Sequence, residues 1–314
     1  MSMTELKTLE RIRKKIPATR GTRLVAGIGD DCAILRTPRS REDLLLTTDL
    51  LVEDIHFERA THTASAIGHK ALARGLSDIA AMGGKPRFCL VSLGLPKWAG
   101  TRWIDGFYRG LLRLSEQAGA VLAGGDLARS EKLVCDIVVA GTVPRGTALC
   151  RDGARPGDAI YVSGVLGGSA LGLASRRGAA WRRHLWPAPR LALGEYLRRS
   201  GRVTAAMDLS DGLSIDLHRL ALASGVSAVI DRPIPVFHGA TLEQALHGGE
   251  DYELLFTAPV SARIPSRHRS IPLTRIGTVR QGRAGKLELF GWPVAPLGWD
   301  HLRGVGDAPR PDVT

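Results

Sequence analysis

Short apolar runs alternate with amphipathic stretches along this chain. Residues 44–48, 88–93 and 134–143 are compact apolar runs of strand length, while 64–82 and 103–117 repeat their apolar positions with the period of a helix lying on a core. The first half therefore reads as α/β. Gly, Pro and charge crowd into 150–158 (CRDGARPGD), which marks a boundary between an amino-terminal domain, 1–149, and a carboxyl-terminal domain, 150–314. A second α/β unit follows. Residues 161–163 read as a strand running into Gly164, Gly167 and Gly168, and 169–173 open a helix. An apolar run at 203–207 precedes a helix whose Leu213, Leu217 and Leu220 fall at i, i+4 and i+7, stopped by Ser224 and Gly225. Ser77-Asp78 and Ser210-Asp211 echo one another across the halves, too briefly to mark a repeat.

The longest apolar stretches, 88–96 and 138–143, run to about ten residues, half of the roughly twenty that a membrane-spanning helix needs. No span is expected. With 314 residues, 44% of them hydrophobic, the chain has the material for two cores, and a disordered tail protein is excluded. The opening segment, MSMTELKTLERIRKKIP, is charged throughout and lacks the apolar core of a signal peptide, so a cytoplasmic location is expected.

Charge raises a different possibility. Lys and Arg number 43 against 31 Asp and Glu, a net charge of +12 that invites a nucleic-acid reading. Much of the excess lies in 175–202, where Arg176, Arg177, Arg182, Arg183, Arg190, Arg198, Arg199 and Arg202 face the single acid Glu195. No RNA-binding aromatic signature, zinc-finger spacing or heptad repeat joins them. The stretch reads as a solvated basic face, and no nucleic-acid partner is expected. Cys32, Cys89, Cys135 and Cys150 form no CxxC and read as reduced, mostly buried thiols.

The strongest chemical signal is carboxylates at the ends of apolar runs. Asp30 and Asp31 follow GIG, Asp49 follows LLLTT, Asp126 follows VLAGG, and Asp208 follows the run at 203–207. Oxygen ligands so placed suit a hard cation such as Mg²⁺, with phosphate oxygens completing its shell; the ordinary role for any one of them is a cap or a turn. Asp78 sits in the last turn of a helix ended by Gly83-Gly84, where a negative charge opposes the helix dipole. A cation or a pairing with Arg74, four residues back, would each explain it. Gly124-Gly125-Asp126 and the 164–169 glycine loop are candidate phosphate cradles. There is no GxxxxGK[ST], complete dinucleotide fingerprint, GxSxG or HExxH. Ser210 reads as a helix N-cap, and His56 as a core histidine at a strand end.

In order, GIGDDCAIL (27–35), TTDLLVEDIHF (47–57), GHKALARGLSDIAAMGG (68–84), GGD (124–126), RDGARPGD (151–158), MDLSDGL (207–213) and HGGEDYELLF (247–256) resemble the thiamine-monophosphate kinase family of the aminoimidazole-ribonucleotide-synthetase-like superfamily. The resemblance implies ATP-dependent phosphorylation of thiamine monophosphate to thiamine diphosphate, the last step in making that cofactor. It also implies two α/β domains, a homodimer joined through mixed amino-terminal sheets, and a site in the cleft between domains. Carried over by motif, the Mg²⁺ ligands are Asp31, Thr47, Thr48, Asp49, Asp78, Asp126, Asp208 and Asp211. The nucleotide contacts are Tyr108, Gly125, Asp126, Arg151 and Ser210, and the substrate contacts are His56, Glu250 and Trp299. The family's usual GGDTT is here GGD followed by Leu127-Ala128, which removes two hydroxyls beside the nucleotide. HLWPAPRLALG (184–194) resembles the family's second-domain segment, so the arginines there need no nucleic acid. The implied chemistry is direct in-line transfer to an already ionised phosphate, with no protein nucleophile or general base. A selenophosphate synthetase or hydrogenase-maturation protein would need a reactive cysteine near the start or a terminal one. This chain has none before Cys32 and ends in Arg-Pro-Asp-Val-Thr.

Overall fold

The computed structural model describes residues 4–16 and 23–302. Its first part runs α1 (Glu5–Arg13), β1 (Leu24–Ala26), β2 (Ala33–Arg36), β3 (Glu42–Val52), α2 (Ala64–Ala81), β4 (Lys85–Leu95), α3 (Thr101–Ala118), β5 (Val121–Arg129) and β6 (Val134–Pro144). A linker with a 3₁₀ turn at Arg151–Gly153 leads to β7 (Asp158–Ser163), α4 (Gly168–Ser175), α5 (Gly178–Leu185), α6 (Leu191–Ser200) and β8 (Ala205–Leu209). Then come α7 (Leu213–Ala223), β9 (Ser227–Ile230), α8 (Leu242–His247), β10 (Glu253–Pro259), β11 (Arg267–His268), β12 (Ile271–Arg280), β13 (Leu287–Leu289) and β14 (Trp292–Pro293).

Among these residues, one six-stranded sheet has the order β1-β2-β3-β6-β4-β5, and an eight-stranded sheet the order β14-β13-β9-β12-β7-β10-β8, with β11 added to β12. Both are mixed. β4 and β5 run parallel, joined by the crossover helix α3, and β13 runs parallel to β9, while the other pairs are antiparallel. Alternation along β3 shows how one face is chosen: Asp43, Leu45 and Leu51 are buried, while Thr48 and Leu50 are exposed. Helix α2 packs on the buried face through Ile67, Leu72, Leu76 and Ile79, and its N-terminus is capped by Thr63, whose hydroxyl accepts from Ala66 N at 3.2 Å. The far end of α2 belongs to the other domain as well. Ala80 and Ala81 pack with Leu193 and Leu197 of α6 and with Leu254 and Phe256 of β10. A Cβ at Gly194 would stand 1.9 Å from the Ala80 carbonyl oxygen, so glycine is what lets α6 close onto α2.

Three expectations need correction. The acids do not follow their strands: Asp49, Asp126 and Asp208 lie within β3, β5 and β8, because the backbone ladder continues past the apolar run and tolerates polar side chains where they meet the cleft or solvent. The 175–202 stretch is not simply a solvated face. Arg183 and Arg190 turn inward onto the fully buried Glu253, and Arg198 donates to the Gly83 carbonyl at 2.7 Å. The cap of α7 is Gly212, with φ 121°, rather than Ser210. The cysteines stand as expected, free, with Cys32, Cys89 and Cys135 buried, and no described helix is long and apolar enough to cross a membrane.

Candidate active site

Three carboxylates from three elements converge where the two domains meet. Asp31 stands in the loop before β2, Asp78 in the last turn of α2 and Asp208 on β8, and one oxygen of each lies within 4.8 Å of the others. Two unit charges at that separation repel by about 3 kcal/mol at an effective dielectric of roughly 20. Burial, reinforced by the neighbouring carboxylates, pushes Asp78 and Asp208 well above the usual carboxylate range. Part of this is offset locally. The Thr47 hydroxyl donates to Asp78, Ser77 Oγ donates to Asp208 Oδ2 at 2.6 Å, and Arg151 is ion-paired with Asp31. Asp30 accepts from the backbone of Asp31 at 3.0 Å and of Arg151 at 3.1 Å, and burial lifts it to about 6. Asp31 Oδ2, though buried, has no hydrogen-bond partner among the described residues. An orphaned carboxylate oxygen beside two further carboxylates is a set of hard donors that fits a divalent cation of the Mg²⁺ type.

Helix α2 supplies most of the cleft's polar stripe. Lys70, Arg74, Ser77 and Asp78 fall at i, i+4, i+7 and i+8, on one face. Arg74 pairs with Asp49, Nη2 at 3.1 Å and Nε at 3.3 Å from the same oxygen, and not with Asp78. Lys70 is fully buried and reaches Glu250 Oε2 at 2.7 Å. Burial pushes the Lys70 ammonium down and Glu250 opposes it; burial would likewise raise Glu250, but Lys70 and His184, 3.3 Å away, outweigh it and hold the carboxyl low. Glu250 adopts φ 64°, a left-handed conformation held by its N–H donating to the Ser210 carbonyl at 2.6 Å.

Next to this pair, His56 Nδ1 accepts from Val52 N at 3.0 Å, whereas its Nε2 is buried without a partner among the described residues. Burial, then Arg74, pushes His56 down to about 3, so the ring is neutral. His301 lies beside it, ring centroids 4.9 Å apart and tilted by 40°, and meets Trp299 edge-on at 5.5 Å. Trp299 is 48% exposed; its backbone N–H donates to the Asp211 carbonyl at 3.0 Å and its indole N–H to the His301 ring at 3.1 Å. It is therefore not a core residue.

Other nominated residues lie apart from the triad. Thr48 donates to Asp136 Oδ1 at 2.7 Å, on the sheet face opposite Asp49. Strand register carries Asp136 to Ser92 and Ser92 to Asp126, which puts exposed Asp126 on that same outer face. Three strand spacings separate β3 from β5, about 14 Å at roughly 4.8 Å each. Asp211 is ion-paired with Arg219, and its N–H donates to Asp216 Oδ2 at 3.0 Å. Tyr108 packs edge-on to Phe107 in the amino-terminal core. A Cβ on Gly125 would lie 1.8 Å from the Val91 carbonyl oxygen, so that glycine permits close strand packing. The 164–169 loop is no phosphate cradle, because Asp251 already accepts from Gly167 N at 2.5 Å and Ser169 N at 3.2 Å. The sequence alone does not point to Lys70, Ser77 or His184 as site residues; the four-residue spacing of Lys70, Arg74 and Asp78 is the signal it offers.

Two family models match this chain: AIR synthase related protein, N-terminal domain, over residues 29–143, and AIR synthase related protein, C-terminal domain, over 155–289. Thiamine-monophosphate kinase of Escherichia coli (strain K12) is 38% identical over 303 residues, 88% of this chain and 91% of that one. The enzyme of that name from Aquifex aeolicus is 35% identical over 296 residues, covering 88% and 92%. The chain belongs to the thiamine-monophosphate kinase family. The fold agrees with this membership. The structure of AaThiL complexed with AMPPCP and TMP superposes with a TM-score of 0.83 at 34% identity, covering 95% of this chain and 97% of that one. Thiamine-monophosphate kinase from Stenotrophomonas maltophilia K279a superposes at 0.75 with 37% identity, covering 94% and 99%. Hydrogenase maturation protein HypE, at 20% identity and 0.64, shares the fold.

Proposed function

We propose that this chain transfers the γ-phosphoryl group of ATP to thiamine monophosphate, yielding thiamine diphosphate and ADP. The observation that carries this reading is the buried Asp31, Asp78 and Asp208 triad with its unpartnered Asp31 oxygen, in a chain of this family. Those three, with Thr47 and Asp49 beside them, would hold Mg²⁺, and Asp211 would join through a further ion. Bound Mg²⁺ supplies charge neutralisation between crowded phosphate oxygens. Arg151 and Ser210 are assigned to the nucleotide; Gly125 and Tyr108, which lie apart from the triad of their own chain, would reach a nucleotide only across a dimer. His56, Glu250 and Trp299 are assigned to thiamine, with the exposed indole face offered to the cationic thiazolium, a contact worth roughly 0.5–2 kcal/mol.

In this reading an oxygen of the substrate phosphate attacks the γ-phosphorus in line and the ADP oxygen leaves. Phosphate monoesters are largely deprotonated at neutral pH, so no protein base is needed, and the buried thiols, Cys89 raised by burial to about 11, are poor nucleophiles. ATP as donor places the work in the cytoplasm.

The outer face of the six-stranded sheet presents Leu50, 49% exposed, and Val121, 66% exposed, beside Thr48 and Asp126. Pairing this face across a two-fold axis would give a homodimer and bring Asp126 of one copy to Thr48 of the other, joining two nominated metal ligands that one chain holds on strands about 14 Å apart. The test of the activity is chromatographic. Thiamine monophosphate and ATP with Mg²⁺ should give thiamine diphosphate and ADP one for one, and a chelator should stop both; ADP without thiamine diphosphate would refute the reading.

A further inference from the structure

The following rests on the kinase reading. Arg74 is the cation of the α2 stripe that keeps an open edge. Its Nε and Nη2 are both committed to Asp49 Oδ1, at 3.3 and 3.1 Å, while Nη1 has no hydrogen-bond partner among the described residues and is not sealed from solvent. Lys70, one turn earlier, is 1% exposed and spent on Glu250, so it cannot reach a ligand. Arg151 is taken up by Asp31.

Two groups neighbour Arg74: Asp49, hydrogen-bonded to it and close to Asp78 of the triad, and the cluster of Glu250, Tyr252 and His56. An acceptor phosphate attacking a γ-phosphorus held at the triad, while its thiamine is held at His56 and Glu250, has to pass between these two groups. A guanidinium there presents paired N–H donors to phosphate oxygens, stays charged at any working pH, and is already largely desolvated, at 14% exposure. Neutralising Asp49 would occupy Nε and Nη2 alone and would leave Nη1 without a task.

The geometry points to Arg74 as the side chain that contacts the acceptor phosphate and so makes the site prefer phosphorylated thiamine over thiamine itself. The test is binding, not turnover. Thiamine monophosphate and thiamine are titrated calorimetrically into the full-length protein with Mg²⁺ and a non-hydrolysable ATP analogue, for the wild type and Arg74→Met. The wild type should favour the monophosphate, and Arg74→Met should shrink that preference by tenfold or more, with affinity for thiamine within twofold. Arg74→Gln keeps a donor to Asp49 and carries the same expectation should Arg74→Met fail to fold. A variant that retains the wild-type preference overturns the role of Arg74 and leaves the kinase reading intact, as does one in which only the Mg²⁺ requirement shifts. A wild type that binds neither compound overturns both.

Discussion

Ser77 of α2 donates a hydrogen bond to Asp208 of β8 at 2.6 Å, with both side chains buried, so the two domains meet at a polar contact inside the proposed metal site. Assembly of the site and docking of the domains are thereby one event. Asp208→Asn removes a charge where phosphate charge must be neutralised, and should lower turnover at least about 100-fold while the far-ultraviolet circular dichroism stays unchanged. Near-normal turnover would remove Asp208 from the mechanism.

The crowded acids also set a pH dependence. Burial raises Asp78, Asp208 and Asp30, the last to about 6, above their unfolded values near 3.9. A carboxyl with a raised folded pKa binds its proton more tightly in the folded state, so its contribution to stability is present at low pH and fades as pH rises from about 4 through the folded value. Metal-free protein should therefore lose Tm between about pH 4 and pH 7, and saturating Mg²⁺ should flatten that slope. An identical slope with and without Mg²⁺ in differential scanning fluorimetry would mean that the ion does not bind at these groups.

Lys70 gives a stability prediction. Lys70→Met strands the Glu250 carboxylate, and breaking a buried pair costs about 3–5 kcal/mol, the low end applying here because Glu250 is 24% exposed. The double variant with Glu250→Gln should recover much of that loss. Urea unfolding of the two variants decides the matter, and equal stabilities would show that the pair is not coupled.

Asp126 tests the proposed dimer. If its carboxylate serves the site of the partner copy, Asp126→Asn and Asp208→Asn should each be inactive alone. Co-refolded as mixed dimers, they should regain activity, since about half of the chains pair with the other variant and one of the two sites in such a dimer is wholly wild-type. No recovery, with mixed dimers verified by mass spectrometry, would confine each site to one chain.

What the sequence exposes and what it hides differ by range. Asp31 and Asp208 are legible because each closes a short apolar run, and Asp78 because its charge opposes the dipole of the helix it ends. Lys70 is hidden, since a lysine on an amphipathic helix looks like a solvent-facing residue until the chain 180 positions later supplies Glu250. The outward turn of Asp126 depends on strand register, where a slip of one residue exchanges the faces, and β5 joins β4 with a register shift between Cys89 and Leu90. The 164–169 loop deceives for a related reason: its backbone N–H groups do bind a carboxylate, but one from this chain, Asp251.

In the proposed reaction the phosphoryl group passes directly from ATP to thiamine monophosphate at the three-carboxylate site. Single-turnover quenching with γ-labelled ATP in the presence of Mg²⁺ measures it most directly. Label should leave ATP and appear in thiamine diphosphate at the same rate, with none on the protein, and Asp31→Asn and Asp208→Asn should abolish the transfer. Label on the protein before product, or released as free phosphate while thiamine monophosphate stays unchanged, would contradict it.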